Sequence, residues 1–506
     1  MIFSGMRWRL LGDAVVCAVL VLVVAVVVVR ALDSGNGSPG AAAGEAREEE
    51  ALERGGGAAE VEEEAEETAE RIEALQAAKA AGKFGAAIAA TTEPAPGWVG
   101  SRVMNPATDD WEPAVATDPS APNVYILTTR YGARDCVPHC PSPFIAMMIS
   151  RDNGATWGAQ RPICECLRSK AQYDPIIEVV RNTGNVYSVF LNWDRANGFS
   201  TVFSKSTDHG RTWSEPVHVY GQVSWTDKPV LTTSASGKHV YVSWNGPQVG
   251  DLYVGQSHDF GKTWTQQQLT RDKRYYYAYD GRVLGDGTVI FSESSIVYSG
   301  ATNVEGDVFH HAIISRNKGA TWENRIVAKV PLGESCIADG CGPDFYVGQT
   351  SVVSDAPGHL VFAYEGPTVT DGPQRVYVSQ SSDTGRTWSA GSPISVNGEN
   401  ATAPRLDSSG GGNVRTWYMQ TAGHDPDGWN VWYRTSSNGG GTWSSPVKIS
   451  DHPGGAADYV NADGSFDEIY GDYGEIDITS EGKTIAVWGE GFSWIGPGNT
   501  WFNLED

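Results

Sequence analysis

Carboxylate side chains recur at or near the starts of predicted strands. Five positions share this context: Glu112, Asp174, Asp227, Asp280 and Asp472. Carboxylates gathered in one pocket can bind a cation, accept hydrogen bonds from a hydroxyl-rich sugar, or act as an acid and base pair. The alternative is structural, because Asp and Glu also cap the turns that lead into strands. The sequence leaves both interpretations open.

The overall charge and the motif content exclude several other chemistries. The chain of 506 residues carries a formal net charge of −24. This charge excludes nucleic acid as a partner, because phosphate binding needs a basic surface. The sequence contains no phosphate-binding loop, metalloprotease motif or nucleophile elbow. His310 and His311 are adjacent in a β-rich run, so they point to opposite faces and do not share a metal.

One repeated motif indicates the elements that must position these residues. We call it the box: Ser-x-Asp/Asn-x-Gly-x-Thr-Trp. Six copies, spaced by about 50 to 66 residues, lie at 150–157, 206–213, 257–264, 315–322, 381–388 and 436–443. This spacing is typical of one four-stranded blade of a β-propeller. Short β-rich runs separated by turn residues, such as 124–129 and 240–244, precede the boxes.

Each residue type in the box has a structural task. The Asp, for example Asp152, can accept hydrogen bonds from backbone N–H groups of the turn. The Gly supplies a backbone conformation that a side chain would penalise, and the Trp packs as an apolar plate under the sheet. Asn317 and Asn438 replace the Asp in two copies and keep the acceptor. We therefore expect the box to be structural and independent of charge.

The repeat resembles the sialidase-like BNR or Asp-box family of β-propellers over roughly residues 100–506. The resemblance implies an all-β propeller whose boxes join the third and fourth strands, on the face opposite the active site. Six units are complete. A seventh begins near 473–478 and lacks a box and a fourth strand, which a segment at 98–104 could supply. Because closure of the ring removes exposed strand edges, we favour seven blades over six.

The resemblance also implies a site. Enzymes of this family hold an anionic substrate with three arginines and use a Tyr–Glu pair and an Asp, but Trp111 stands where the first arginine would be. The predicted catalytic residues are Asp174, Asp227, Glu365 and Tyr473. The predicted substrate-binding residues are Trp111, Glu112, Arg130, Asp280, Arg282, Arg405 and Asp472.

Six cysteines follow the N-terminal apolar segment, at Cys136, Cys140, Cys164, Cys166, Cys336 and Cys341. An even number in an exported region predicts structural disulfides, with Cys336 paired to Cys341 and the other connectivity open. The first four could instead bind zinc, an alternative that their non-standard spacing disfavours. We expect no cofactor, and a structural calcium ion is the one exception left open.

Composition divides the chain into three parts. Residues 1–32 contain an unbroken apolar run at 14–29 that follows Arg7 and Arg9. This arrangement predicts a transmembrane helix with the following chain outside the cytoplasm, and a cleaved signal peptide is the alternative. Residues 33–96 are rich in Ala and Glu, and we expect a solvated acidic stalk with little apolar face. Residues 97–506 form the propeller.

These features predict a membrane-tethered, extracellular propeller that recognises or hydrolyses glycans. If it is an enzyme, the resemblance implies a glycoside hydrolase of exo-sialidase-like type. Aromatic residues near the predicted site favour sugar, because sugars stack on aromatic faces; they are Trp111, Tyr173, Trp225 and Tyr473. The alternative is a non-catalytic propeller that binds an extracellular protein or cell-wall partner, which the missing first arginine favours. A secreted form is the alternative to the single-pass location.

Overall fold

Seven four-stranded antiparallel sheets account for the named strands of the chain. The computed structural model describes residues 71–81, 93–131, 142–163, 170–194, 197–246, 250–299, 303–333, 348–421, 429–451, 474–491 and 497–506. All of these residues belong to one unit, Leu52–Asp506. Within the described ranges a single helix, α1, spans residues 71–80.

The strands follow one another blade by blade along the chain. Strand β1 (Arg102–Val103) precedes the first complete blade. Blade 1 contains β2 (Asp109–Thr117), β3 (Val124–Tyr131), β4 (Phe144–Ser150) and β5 (Arg161–Pro162). Blade 2 contains β6 (Ala171–Val179), β7 (Val186–Asp194), β8 (Gly198–Ser206) and β9 (Val217–Val223). Blade 3 contains β10 (Asp227–Thr233), β11 (Val240–Asn245), β12 (Leu252–Ser257) and β13 (Thr265–Gln268).

The second half of the ring repeats the pattern. Blade 4 contains β14 (Tyr275–Val283), β15 (Val289–Ser299), β16 (Asn303–Ser315) and β17 (Glu323–Val330). Blade 5 contains β18 (Thr350–Ala356), β19 (His359–Gly366), β20 (Arg375–Ser381) and β21 (Ser392–Pro393). Blade 6 contains β22 (Ala401–Gly410), β23 (Asn413–Thr421), β24 (Trp429–Ser436) and β25 (Val447–Lys448). The last strands are β26 (Glu475–Ile478), β27 (Thr484–Gly491) and β28 (Gly498–Leu504).

The ring is closed by a strand from the start of the propeller. Blade 7 has the order β26, β27, β28 and β1, with Arg102 opposite Phe502 in the ladder. Trp98 extends this pairing through a bridge to Glu505. The first strands of successive blades, which we call the inner strands, pack against one another around a central channel. The prediction of seven blades is therefore confirmed, and the segment at 98–104 supplies the strand expected of it.

Burial decreases from the inner strands towards the outer edge of each blade. Every residue of β2 and β3 is buried, whereas every residue of β17 is exposed or half-buried. Inner strands lie between two neighbouring blades, so both faces of their pleat are covered. The second strands β3 and β11 are also buried along their whole length, and they are mostly apolar, since a strand buried on both faces need not alternate. Trp244, Trp417 and Trp488, each on the second strand of its blade, are fully buried.

The boxes form the turns between the third and fourth strands, as the resemblance implies. In the first box Asp152 accepts hydrogen bonds from the backbone nitrogen of Thr156 at 2.8 Å and from its hydroxyl at 2.5 Å. The hydroxyl of Ser150 accepts a bond from the backbone nitrogen of Gly154 at 2.8 Å. Asn317 accepts the equivalent backbone bond at 2.9 Å in a box that lacks Asp. The acceptor oxygen, rather than the charge, is the common element.

Several features predicted from the sequence lie outside the described residues. They are the apolar segment within residues 1–32, and Cys136, Cys140, Cys164, Cys166, Cys336 and Cys341. A search of the described part of the chain finds no helix long and apolar enough to cross a membrane. The anchor and the disulfides stay predictions.

Replacing the box carboxylate should lower the stability of the protein because a hydrogen-bond acceptor is lost, and not because a charge is lost. Asp208 accepts bonds from Thr212 and Ser206, at 2.8 Å from the backbone nitrogen of Thr212. We expect Asp208→Ala to lower the free energy of unfolding by about 0.5–2 kcal/mol, the usual cost of a lost side-chain cap. The control is Asp208→Asn, which keeps the acceptor and should retain most of the stability. Equal losses for both variants in urea denaturation would contradict this explanation.

Candidate functional site

Four inner strands carry the same local distortion near the mouth of the channel, by which we mean the end where the inner strands begin. Glu112, Asp174, Lys228 and Ala403 have left-handed backbone conformations, with φ of 57°, 53°, 49° and 53°. Each precedes a proline, and the pairing register shifts there. Positive φ is unfavourable for residues with a side chain, so a repeated β-bulge is the structural device that re-aims these side chains.

A chain of carboxyl groups crosses blades 1 to 3 at these bulges. Glu112 Oε2 accepts hydrogen bonds from the Thr129 hydroxyl at 2.7 Å and from the backbone nitrogen of Asp174 at 2.9 Å. Asp174 Oδ2 accepts a bond from the backbone nitrogen of Lys228 at 3.1 Å. The Asp174 carboxyl also shares hydrogen bonds with the carboxyl groups of Glu112 and Asp227. The structure thus brings together three residues of the predicted site.

The surroundings of these three carboxyl groups favour their neutral form. Burial raises the pKa of Asp174 well above its ordinary range, and the neighbouring Glu112 raises it further. Burial also raises the pKa of Asp227 to about 8, while the Lys228 ammonium acts in the opposite direction. Carboxyl groups in hydrogen-bond contact do not ionise together readily. Near neutral pH Asp227 is therefore able to donate a hydrogen bond as well as to accept one.

Further along the channel, carboxylates accept hydrogen bonds from the backbone of the neighbouring inner strand. Asp477 Oδ2 lies 2.6 Å from the backbone nitrogen of Thr117, which joins blade 7 to blade 1. Asp280 Oδ2 lies 3.2 Å from the backbone nitrogen of Val352, which joins blade 4 to blade 5. These carboxylates stabilise the ring. The substrate-binding role predicted for Asp280 stays a prediction, and its oxygens already serve this contact.

The three arginines of the predicted site are engaged inside the ring. The guanidinium of Arg130 donates two bonds to the Asp110 carboxylate, at 2.6 and 2.8 Å, and both side chains are buried. Arg282 pairs with Asp280 on its own strand. Arg405 is 4% exposed and donates to backbone carbonyl oxygens. Each guanidinium therefore donates hydrogen bonds to groups of the protein itself. In an arginine triad these hydrogen bonds would be donated to the carboxylate of a ligand.

Glu365 lies apart from the carboxyl chain, at the contact of blades 5 and 6. It is 1% exposed and accepts bonds from the backbone nitrogens of Ala403 at 2.9 Å and Gly348 at 3.2 Å. Burial raises the pKa of Glu365 to about 7. The structure does not join it to Asp174 or Asp227. Tyr473 and Asp472, the other predicted members, lie outside the described residues.

An aromatic arc lies on the mouth side of blades 2 to 4. We give this name to Trp193, Phe199, Trp225 and Tyr275. The rings of Phe199 and Trp225 are 5.4 Å apart, those of Trp193 and Phe199 are 6.4 Å apart, and Trp225 Nε1 donates to the Tyr275 hydroxyl at 3.2 Å. Trp193, Trp225 and Tyr275 are half-buried, so part of each ring is accessible. Trp225 of the arc precedes Asp227 by two residues in the chain.

Sequence reasoning found only part of this arc. It singled out Trp225, and it also singled out Tyr173, which is 4% exposed behind the arc. Trp193 and Phe199 come from the second and third strands of blade 2, and Tyr275 from the first strand of blade 4. Their proximity depends on how blades pack, which a pattern within one blade does not indicate. The available signal was the set Tyr275, Tyr277 and Tyr279, spaced by two residues along one strand.

Trp111 is covered by a residue from the segment before the propeller. It is 4% exposed, and the guanidinium carbon of Arg71 lies 3.9 Å from the centre of its ring and 5.0 Å from that of Tyr131. Arg71 is 0% exposed and Leu75, one turn further along α1, is 4% exposed. This differs from the solvated stalk that the sequence predicts, because these two side chains are buried although the rest of α1 is exposed or half-buried.

No metal centre emerges from the part of the chain that the structure describes, where no group of three or more His, Cys, Asp or Glu side chains is arranged to hold an ion. The carboxylates of the channel instead accept N–H and O–H donors, as described above for Glu112 and Asp477. A structural calcium ion stays a prediction.

Comparisons with known proteins give similarity of fold. No protein-family model and no curated protein matches the chain. It is similar to a structure of unknown function from Dyadobacter fermentans, at 14% identity over 81% of this chain and 99% of that one, with a TM-score of 0.45. An ulvan lyase, a polysaccharide lyase, is 11% identical over 80% and 94%, with a TM-score of 0.48. The NanB sialidase from Streptococcus pneumoniae is 14% identical over 82% of this chain and 70% of that one, with a TM-score of 0.41.

The raised pKa of Asp227 should appear in the pH dependence of stability. Its pKa is about 8 in the folded state, against about 4 for an unfolded Asp. The folded state therefore binds more protons between these values, and this group's contribution to stability is lost as pH rises through that window. We expect Asp227→Asn, which stays neutral, to lose less stability than the wild type between about pH 5 and pH 9.

Urea unfolding at both pH values measures this difference. The matched control is Asp371→Asn, an identical change at an exposed turn position. Its pH dependence should equal that of the wild type. An unchanged pH dependence for Asp227→Asn would show that Asp227 is ionised in the folded protein.

Proposed function

We propose that this protein is a glycan-binding propeller whose ligand lies against the aromatic arc at the mouth. The observation that carries the proposal is the cluster of half-buried Trp193, Trp225 and Tyr275, which Phe199 links. Asp227, whose carboxyl is neutral near pH 7, follows Trp225 by two residues. Sugars present apolar C–H faces and polar hydroxyl edges. Aromatic faces with a few polar groups match both, and such concave mixed surfaces are typical ligand sites.

The proposed ligand is a neutral glycan rather than a sialylated one. Arg130 and Arg282 already pair with Asp110 and Asp280, so binding an anionic carboxylate would require breaking those pairs. The net charge of −24 adds long-range repulsion of anions. A neutral Asp227 carboxyl can instead donate to one hydroxyl and accept from another.

A second function, hydrolysis of the bound glycan, is favoured by one observation. Asp174 and Asp227 are in hydrogen-bond contact and both have a raised pKa. A carboxyl group that stays protonated near neutral pH can act as general acid towards a glycosidic oxygen. In this reading Asp227, which is half-buried, is the proton donor, and the more deeply buried Asp174 tunes its pKa.

The location forms part of the proposal. The apolar run at 14–29, preceded by Arg7 and Arg9, supports a single membrane anchor with the propeller outside the cytoplasm. An oxidising compartment would allow the six cysteines of the propeller to form disulfides. We expect thiol titration of the denatured, unreduced full chain to find no free thiol among them, and membrane fractionation to retain the protein. Several reactive thiols or bound zinc would contradict the disulfides, and a fully secreted product would contradict the anchor.

Glycan binding and turnover can be tested on the purified protein. We expect neutral oligosaccharides to bind in a glycan array, Trp225→Ala to weaken binding by about tenfold or more, and a fluorogenic sialoside to be turned over weakly or not at all. The reason is that loss of a stacking face removes contact area that backbone atoms cannot replace. The control is Phe260→Ala, which removes an aromatic ring that is 40% exposed at a box turn on the opposite face.

The results of these experiments distinguish glycan hydrolysis from glycan recognition alone. Turnover of a neutral glycoside that is lost in Asp227→Asn would support hydrolysis, and binding without turnover would support recognition alone. Efficient sialoside cleavage abolished by Arg282→Ala or Arg405→Ala would overturn the choice of a neutral ligand. If no glycan is bound or turned over, the proposal of glycan binding is wrong.

A further inference from the structure

A cationic side chain from the segment before blade 1 is buried against the mouth of the propeller. Arg71 is 0% exposed and lies over the faces of Trp111 and Tyr131, at 3.9 and 5.0 Å from the two ring centres. Both distances are within the range of a cation–π interaction, which strengthens when the cation is removed from water. The two rings come from the start of β2 and the end of β3, so both belong to the propeller.

Most side chains of α1 are exposed or half-buried. In α1 only Arg71 and Leu75 are buried, and Glu73 and Lys79 are exposed. Arg71 therefore occupies the pocket much as a bound peptide side chain would.

We propose that the pocket of Trp111 and Tyr131 is a binding site for an arginine side chain of a polypeptide partner, and that Arg71 fills this site in cis. A planar guanidinium suits the pocket because it stacks on aromatic faces and is weakly hydrated. The acidic charge of the chain attracts a basic partner. The partner's arginine displaces Arg71 and α1 together. The site lies outside the aromatic arc, so the inference does not depend on glycan binding.

Arg71 should compete with the partner's arginine for the pocket of Trp111 and Tyr131. A tethered group acts at an effective concentration of about millimolar for a short flexible link. Removing the Arg71 guanidinium therefore frees the pocket, and we expect the full-length Arg71→Ala variant to bind the peptide acetyl-Gly-Arg-Gly-amide about tenfold or more tightly than the wild type. The lysine analogue of the peptide should bind more weakly, since an ammonium does not stack as a plane.

Calorimetric titration with these two peptides tests the proposal. Glu73→Ala is the matched control, because it changes an exposed charge on the same helix and leaves the pocket filled. The double variant Arg71→Ala, Trp111→Phe keeps an aromatic side chain at this position and should lose part of the gain in affinity, while Arg71→Ala, Trp111→Ala should lose all of it. Thermal melting checks that each variant is folded.

The proposal is overturned if folded Arg71→Ala binds the arginine peptide no more tightly than the wild type and Glu73→Ala. It is also overturned if the gain in affinity survives Trp111→Phe and Trp111→Ala unchanged, since binding would then occur elsewhere. Equal affinity for the arginine and lysine peptides would show attraction by net charge alone and would contradict a stacked guanidinium site.

Discussion

The channel-facing edge of the inner strands is the constraint on which this ring depends. An inner strand pairs with its blade on one side only, so half of its N–H groups point away from the sheet. Val115 and Thr117, two residues apart on β2, have this orientation, and they donate to Glu475 and Asp477 of the neighbouring blade, each at 2.6 Å. A buried donor without a partner costs about 1–3 kcal/mol, so carboxylates placed here stabilise the ring as well as lining it.

This constraint explains why an acidic interior does not by itself indicate catalysis. Asp174, Asp280 and Glu365 each accept a backbone N–H bond from an adjacent blade. Burial then raises the pKa of Asp174 and Glu365, so the groups that hold the ring together also look like candidate acids. Chemistry is more plausibly assigned where a carboxyl has accessible space beside it. Asp227, which is half-buried and follows Trp225 of the aromatic arc by two residues, meets that condition.

The sequence predicted the features that repeat within each blade. It did not predict the contacts that form between blades. The boxes and the strand rhythm recur locally, so seven blades and the closing strand near Trp98 could be foreseen. Partners across the ring could not, because Val115 and Glu475 are 360 residues apart and share no local pattern. The carboxylates before proline, such as Glu112 and Asp174, were visible as a pattern. Their left-handed bulges were not, because a residue before proline usually favours extended backbone.

Ring closure and occupation of the mouth both involve the segment that precedes blade 1, yet they use different contacts. Closure rests on backbone pairing of Arg102 with Phe502 and on the bridge from Trp98 to Glu505. Occupation of the mouth rests on side-chain contacts of Arg71 in α1. Loss of the second set leaves the ladder of blade 7 intact, because none of its hydrogen bonds involves α1. A partner could therefore displace Arg71 and uncover Trp111 without opening the ring. A closed propeller is thus compatible with a mouth at which Arg71 is replaced by a partner's side chain.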